Sequence, residues 1–288
     1  MLPIHKLTTV LLMLVIILAI IGCAKEQSVT PTTVILPSTT SSPTEVPLEK
    51  YTPSSAVEEL APSSAVEEIS SYDKADTTSQ RRMIAIDAGH QKKGNNEKEP
   101  IGPGASVTKP KVSSGTRGVF TKVPEYKLNL AIALKVKEEL IDRGYDVYMI
   151  RETNDVNLSN RERAEMANES GADLFLRIHA DSAENDSVRG TSTLYPSENN
   201  PYVAHLSEES YALSTAIVDE MCKLTEAKNR GAIARDDMSG INWCSIPVSI
   251  IEMGYMSNIK EDKLMQTEKY QNKMAQGICN GIDAYYNE

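Results

Sequence analysis

The 288-residue chain is short of cysteine, histidine and basic charge. No two of its four cysteines form a CxxC pair, which removes the thiolate zinc-ribbon class of metal site. Cys222, Cys244 and Cys279 also lack any paired spacing that would mark a disulfide framework, so each reads as a small buried apolar residue. Lys and Arg number 30 against 40 Asp and Glu, and the electrostatic footprint of a nucleic-acid binder is therefore missing. The N-terminal hydrophobic stretch Leu7–Ile21 is too short and too abruptly ended to favour a permanent membrane span.

That stretch, preceded by Lys6, has the length of a secretory signal. Ile20-Ile21-Gly22-Cys23 resembles the lipobox of bacterial lipoproteins. The resemblance implies that residues 1–22, His5 among them, are removed and that a lipid is attached to Cys23. An uncleaved signal anchor is the alternative. Either way the remainder is expected outside the cytoplasm, with the membrane as a partner; acyl chains hold a protein there at about 0.8 kcal/mol per buried CH₂. Residues 23–80 are rich in Thr, Ser, Pro and Glu and almost without aromatics, a composition that cannot assemble an apolar core and reads as a disordered tether. Two copies of a short PSSAVEE repeat within it are too few for a solenoid. At about 3 Å per residue the tether could reach well over 100 Å.

Residues 81–288 alternate strand and helix patterns and predict one α/β domain. Met83–Ile86 is a buried strand followed by turn chemistry at Asp87-Ala88-Gly89, which sets His90 at the strand's carboxyl end. Pro124 begins a helix with Glu125 in its first turn, and Gly144 ends it before a strand at Asp146–Ile150. Ser159 and Glu162 form a capping box for the next helix. Leu174–Ile178 is a second apolar strand running into His179, and Thr191–Tyr195 a further one. A long amphipathic helix follows, opened by an exposed His205, then a buried strand at Pro247–Met253 and a closing helix bearing Met274, Ile278 and Ile282.

Two strands that end in histidine on one sheet edge suggest a metal site completed by a carboxylate, since hydrolytic zinc takes three His, Asp or Glu ligands and leaves one position to water. Glu97, Glu99, Glu125, Glu152 and the acids of the capped helix are the candidates to weigh, and Glu125 stands out because a helix start presents it rigidly. It equally suits the positive end of a helix dipole. Glu252, inside the apolar run Ile250–Gly254, is a carboxylate whose burial is costly unless it is paired or functional. Asn242 is either a substrate-binding amide or a turn-stabilising one.

IAIDAGH at 84–90, the Glu125 helix with Asn129-Leu130-Ala131, Gly144-Tyr145-Asp146-Val147 leading to Arg151, and Leu158-Ser159-Asn160-Arg161 resemble the zinc-dependent N-acetylmuramoyl-L-alanine amidases. So do Arg177-Ile178-His179-Ala180-Asp181 and Ile251–Asn258. The resemblance spans the folded domain. It implies a twisted mixed sheet flanked by helices on both faces, one zinc ion held by His90, Glu125 and His179, and Glu252 as the catalytic acid/base. The reaction it implies is cleavage of the amide between muramic acid and L-alanine in peptidoglycan, with the protein expected as a monomer. A zinc peptidase cutting inside the stem, and a non-catalytic wall-binding lipoprotein, are the alternatives. The chain departs from the pattern with Gln91 after His90, with Arg177 where a small residue is common, a change expected to alter the charge of the site's rim, and with a long 91–124 stretch whose composition suggests a mobile rim loop.

Overall fold

A computed structural model describes residues 81–287. The expected signal 1–22, the lipidated Cys23 and the tether 23–80 lie outside the described residues. No helix among those described is long and apolar enough to cross a membrane.

The core is a six-stranded mixed sheet. β1 (Met83–Ala88) is flanked by β4 (Asp146–Met149) and β5 (Leu174–Asp181), and β8 (Val248–Tyr255) follows β5, all four parallel. β6 (Thr191–Tyr195) pairs antiparallel with β8, and β7 (Asn229–Ala234) pairs parallel with β6 at the edge. Successive side chains of the central strands go to opposite faces, so each strand must be apolar on both. Ile84, Ile86, Leu174, Leu176 and Ile178 pack under α1 (Glu125–Asp142), α3 (Ser207–Thr225) and α6 (Glu268–Asn287). Ala85, Phe175, Val248 and Ile250 pack with Ala164 and Ala167 of α2 (Asn160–Glu169) and Ile241 of the short α4 (Ser239–Asn242). The sheet is thus helix-covered on both faces.

The expected elements are present with shifted ends. The Ser159/Glu162 capping box forms, and Pro124 is the N-cap of α1 rather than its first helical residue. β1 runs through Asp87 and Ala88, so Asp87 is a buried strand residue instead of a turn residue. β5 continues to Asp181 and contains His179 instead of ending before it. The 91–124 stretch is not an open loop. It folds into a hairpin of β2 (Asn95–Pro100) and β3 (Thr108–Val112). That hairpin is tied down by Trp243 Nε1 donating to Pro100 O (3.0 Å), Asn160 Nδ2 to Lys111 O (2.9 Å), and an ion pair of Lys109 with Asp237 (3.0 Å). Its strands are largely polar or charged and hold one aliphatic residue, Val112, so they carry no apolar periodicity. β7, α4 and α5 (Ile259–Met265) carry no such signal either: β7 and α5 are short and only partly buried, and α4 is a single buried turn. His205 is exposed in a 3₁₀ turn before α3, and all three distal cysteines are free, Cys222 half-buried and the others buried.

Candidate metal centre

The carboxyl ends of β1 and β5 and the start of α1 meet at one point. His90 Nε2 lies 3.1 Å from Glu125 Oε1, His179 Nδ1 lies 3.4 Å from the same oxygen, and the two ring nitrogens are 3.1 Å apart. Among the described residues these three form the one His/Cys/Asp/Glu group placed to hold a metal ion. A tetrahedral zinc with ligands at about 2.0–2.1 Å requires donor atoms about 3.3 Å apart, which is the spacing of this triangle. The donor set of two imidazole nitrogens and a carboxylate oxygen also fits that ion.

The surrounding chain fixes each donor. His90 Nδ1 faces the Ser113 carbonyl at 3.0 Å, an arrangement that places the ring proton on Nδ1 and leaves the Nε2 lone pair directed at the centre. His90 itself has φ 62, a left-handed backbone that costs a non-glycine residue roughly 1–2 kcal/mol. Arginines hold that turn in place. Arg151 donates to the carbonyls of Ala88 (2.6 Å) and Gly89 (3.1 Å), and Arg163 donates to the carbonyls of Ala88 and His90 (both 3.2 Å) and to Gln91 Oε1 (2.8 Å). Gln91, the departure after His90, is fully buried and also accepts from Leu158 N. Over-determined strain of this kind is a mark of functional sites.

Glu125 is 2 % exposed and accepts from Asn129 Nδ2 (3.1 Å), Thr116 N (2.9 Å) and Ala180 N (3.2 Å). Burial acts to raise its pKa, but hydrogen bonds and charge from His179 and His90 hold the carboxyl well below its ordinary range. A side chain at Gly115, where φ is 76, would collide with Glu125 and His90, so the segment following the hairpin forms the wall of the centre. Gly89 is required for similar reasons, because a Cβ there would strike the His179 ring. Burial pushes the His179 imidazole down to about 4, leaving it neutral and able to donate a lone pair at neutral pH. Its Nε2 is buried with no protein partner.

Glu252 stands opposite His179 in the β5–β8 register, with Oε2 buried and unpartnered. Burial first, then the nearby Glu125 and Asp181 carboxylates, push its pKa well above the usual carboxylate range. The remaining acids are elsewhere: Glu97 pairs with Lys111, Glu152 with Lys137, and Glu99 accepts from Arg161 N. Arg177 is not at the rim. It is 3 % exposed and bonded through Nε and a terminal nitrogen to Asp87 Oδ2 at 3.0 and 2.9 Å. Asn242 is fully buried, its Oδ1 accepting from Asn200 and its Nδ2 donating to Asp236 O, which is the geometry of a turn-stabilising residue rather than one that meets substrate. The supporting residues Asp87, Ser113 and Thr116 went unnoticed in the sequence. An acid in the apolar run at 83–88 was the available sign for Asp87; none marked the other two.

The sequence profile of the N-acetylmuramoyl-L-alanine amidases, type 3, matches residues 84–284. The germination-specific N-acetylmuramoyl-L-alanine amidase of Bacillus subtilis is 28% identical over 58% of this chain and 73% of its own length. The amidase AmiA of Salmonella typhimurium is 26% identical over 74% of this chain and 79% of its own. Among solved structures, the amidase Ami1 of Mycobacterium smegmatis superposes with a TM-score of 0.64 at 25% identity, covering 72% of this chain and 97% of that one. The catalytic domain of the Paenibacillus polymyxa amidase CwlV gives 0.57 at 28% identity, over 72% and 98%. A profile that spans the whole sheet and brings His90, Glu125 and His179 within its bounds identifies the chain as a member of the type 3 N-acetylmuramoyl-L-alanine amidase family, enzymes that hydrolyse an amide bond of peptidoglycan.

Proposed function

We propose that this amidase is a zinc enzyme in which His90, Glu125 and His179 hold the ion and Glu252 moves the proton. The observation that carries the reading is the convergence of His90 Nε2, His179 Nδ1 and Glu125 Oε1 at 3.1–3.4 Å, with no Lys or Arg among the described residues ion-paired to Glu125. Zinc held there would supply Lewis acidity, lowering the pKa of a water and polarising the scissile carbonyl. Glu252 Oε2 would accept the proton of the attacking water and return it to the departing L-alanine nitrogen, a role for which a carboxyl with a raised pKa is suited. Asp87, Arg151 and Arg163 act through the backbone, holding the His90 turn in its strained form.

The segment preceding the domain supports an extracytoplasmic location, with Cys23 lipidated, residues 23–80 as tether and peptidoglycan as the substrate polymer. Glu252→Gln is expected to fold, retain zinc and lose at least about a hundredfold in turnover, the lower end of what a positioned acid/base contributes. His179→Ala is expected to lose the metal itself. Metal content and turnover measured on both variants check the assignment, and near-full activity in Glu252→Gln would refute it.

A further inference from the structure

The edge strand β7 and the residue that follows it, Arg235, place two arginines on the same face of the sheet as Glu252. Asn229 donates to Asp219 on α3, and Ala234 lines a groove with Tyr211 of that helix, so these residues point to the α3 face. Between the Thr191↔Asn229 and Thr193↔Ala232 pairs, β7 has one residue more than β6. Alternation on either side of that bulge turns Arg230, Ile233 and Arg235 to the opposite face. Glu252 stands on that face too: it pairs with Ser192, while its neighbours in the register, Ile250 and Leu194, pack in the α2 cluster.

β7 lies two strands from β8, about 10 Å at the usual strand spacing. Arg230 is exposed, its guanidinium carbon 5.4 Å from the centre of the Tyr255 ring, and among the described residues no carboxylate lies within 4.0 Å of it. Tyr255 in turn pairs with Asp181, two residues beyond His179. Arg235 binds Asp237 through Nε (2.9 Å) and one terminal nitrogen (3.1 Å) and keeps 40% of its side chain exposed. Its pKa is raised first by the Asp237 hydrogen bond and charge, with Asp181 and Glu252 contributing last, so those two carboxylates lie within electrostatic reach of the guanidinium. Ile233 lies between the arginines and is 39% exposed.

We propose that Arg230, Ile233 and Arg235 form a wall of the substrate cleft that binds an acidic peptide, the two guanidiniums taking its carboxylates and Ile233 an apolar side chain. The inference rests on the amidase reading. With the scissile amide at the metal centre, an extended peptide advances about 3.4 Å per residue, so about three residues cross two strand spacings. Arginine forms paired hydrogen bonds to carboxylate, so charge selection is the expected consequence.

The test uses the zinc-loaded full-length protein and purified muropeptides in two forms, with peptide carboxylates free and with the same carboxylates amidated. The unaltered protein is expected to favour the free form in kcat/KM. In the double variant Arg230→Gln, Arg235→Gln that preference should fall about tenfold, mainly through KM, and Arg230→Lys, Arg235→Lys should recover part of it. An unchanged preference would overturn the proposal. So would an equal loss on both forms carried by kcat, since the arginines would then serve only to offset the charge of Glu252 and Asp181. If the unaltered protein released peptide from neither form, the amidase reading would fail and the proposal with it.

Discussion

Asp87 does more for this centre than its place in an apolar strand suggests. It is fully buried, with Oδ1 2.5 Å from Arg163 and Oδ2 2.9 Å from Arg177, and the same Arg163 holds the carbonyls around His90. Burial alone would raise its pKa, but the two guanidiniums depress it far below the ordinary value. A depressed carboxylate pKa contributes stability that is complete above the unfolded pKa of about 3.9 and is lost as pH falls through the folded value. Denaturant melts should therefore show the protein weakening below about pH 4, with a smaller change in Asp87→Asn. At neutral pH that variant leaves two buried arginines short of a partner and should lose about 3–5 kcal/mol, as broken buried pairs do. His179 acts in the same direction over another window. Its folded pKa of about 4 lies below the usual value of about 6.5, so the metal-free protein should lose stability as pH falls from about 6.5 to about 4. A metal-free His179→Ala protein should show a flatter profile.

At the scale of elements, α3 and α6 cross where Gly277 and Gly281 meet the backbone of Met221 and Ile217. Any Cβ at Gly281 would collide with main chain, and backbone cannot rotate aside as a side chain can. Gly281→Ala should destabilise by about 1–3 kcal/mol in thermal unfolding, despite alanine's higher helix propensity. The apolar patterns that made α1, α3 and α6 readable arise from faces buried against the sheet, and the capping box of α2 is a local hydrogen-bond pattern; both are visible in sequence. The hairpin β2–β3 was not, because Lys98, Lys109 and Lys111 hide its alternation and its anchors lie far away in the chain. The grouping of His90 with His179 and the burial of Glu252 are legible because these residues follow or interrupt apolar runs, whereas pattern alone leaves Glu125 between a ligand and a helix-dipole acid and the family resemblance singles it out. Arg177 was misplaced at the rim for the opposite reason: its partner Asp87 is 90 residues away, and only the β1–β5 register brings them together.

For the whole molecule, the parallel core sets the catalytic end and the additions around it set its walls. β1, β5 and β8 deliver His90, His179 and Glu252 to one edge, the site expected of strand carboxyl ends in an open α/β sheet. The segment following the hairpin closes one side through Ser113, Gly115 and Thr116, and β7 is placed to close another. The most direct measurement is mass analysis of purified peptidoglycan after incubation with the full-length protein, with added zinc and, in parallel, with a chelator. The account predicts peptides with a free N-terminal L-alanine that appear only when zinc is supplied. Cuts inside the stem, or release of the same peptides undiminished by the chelator, would contradict it.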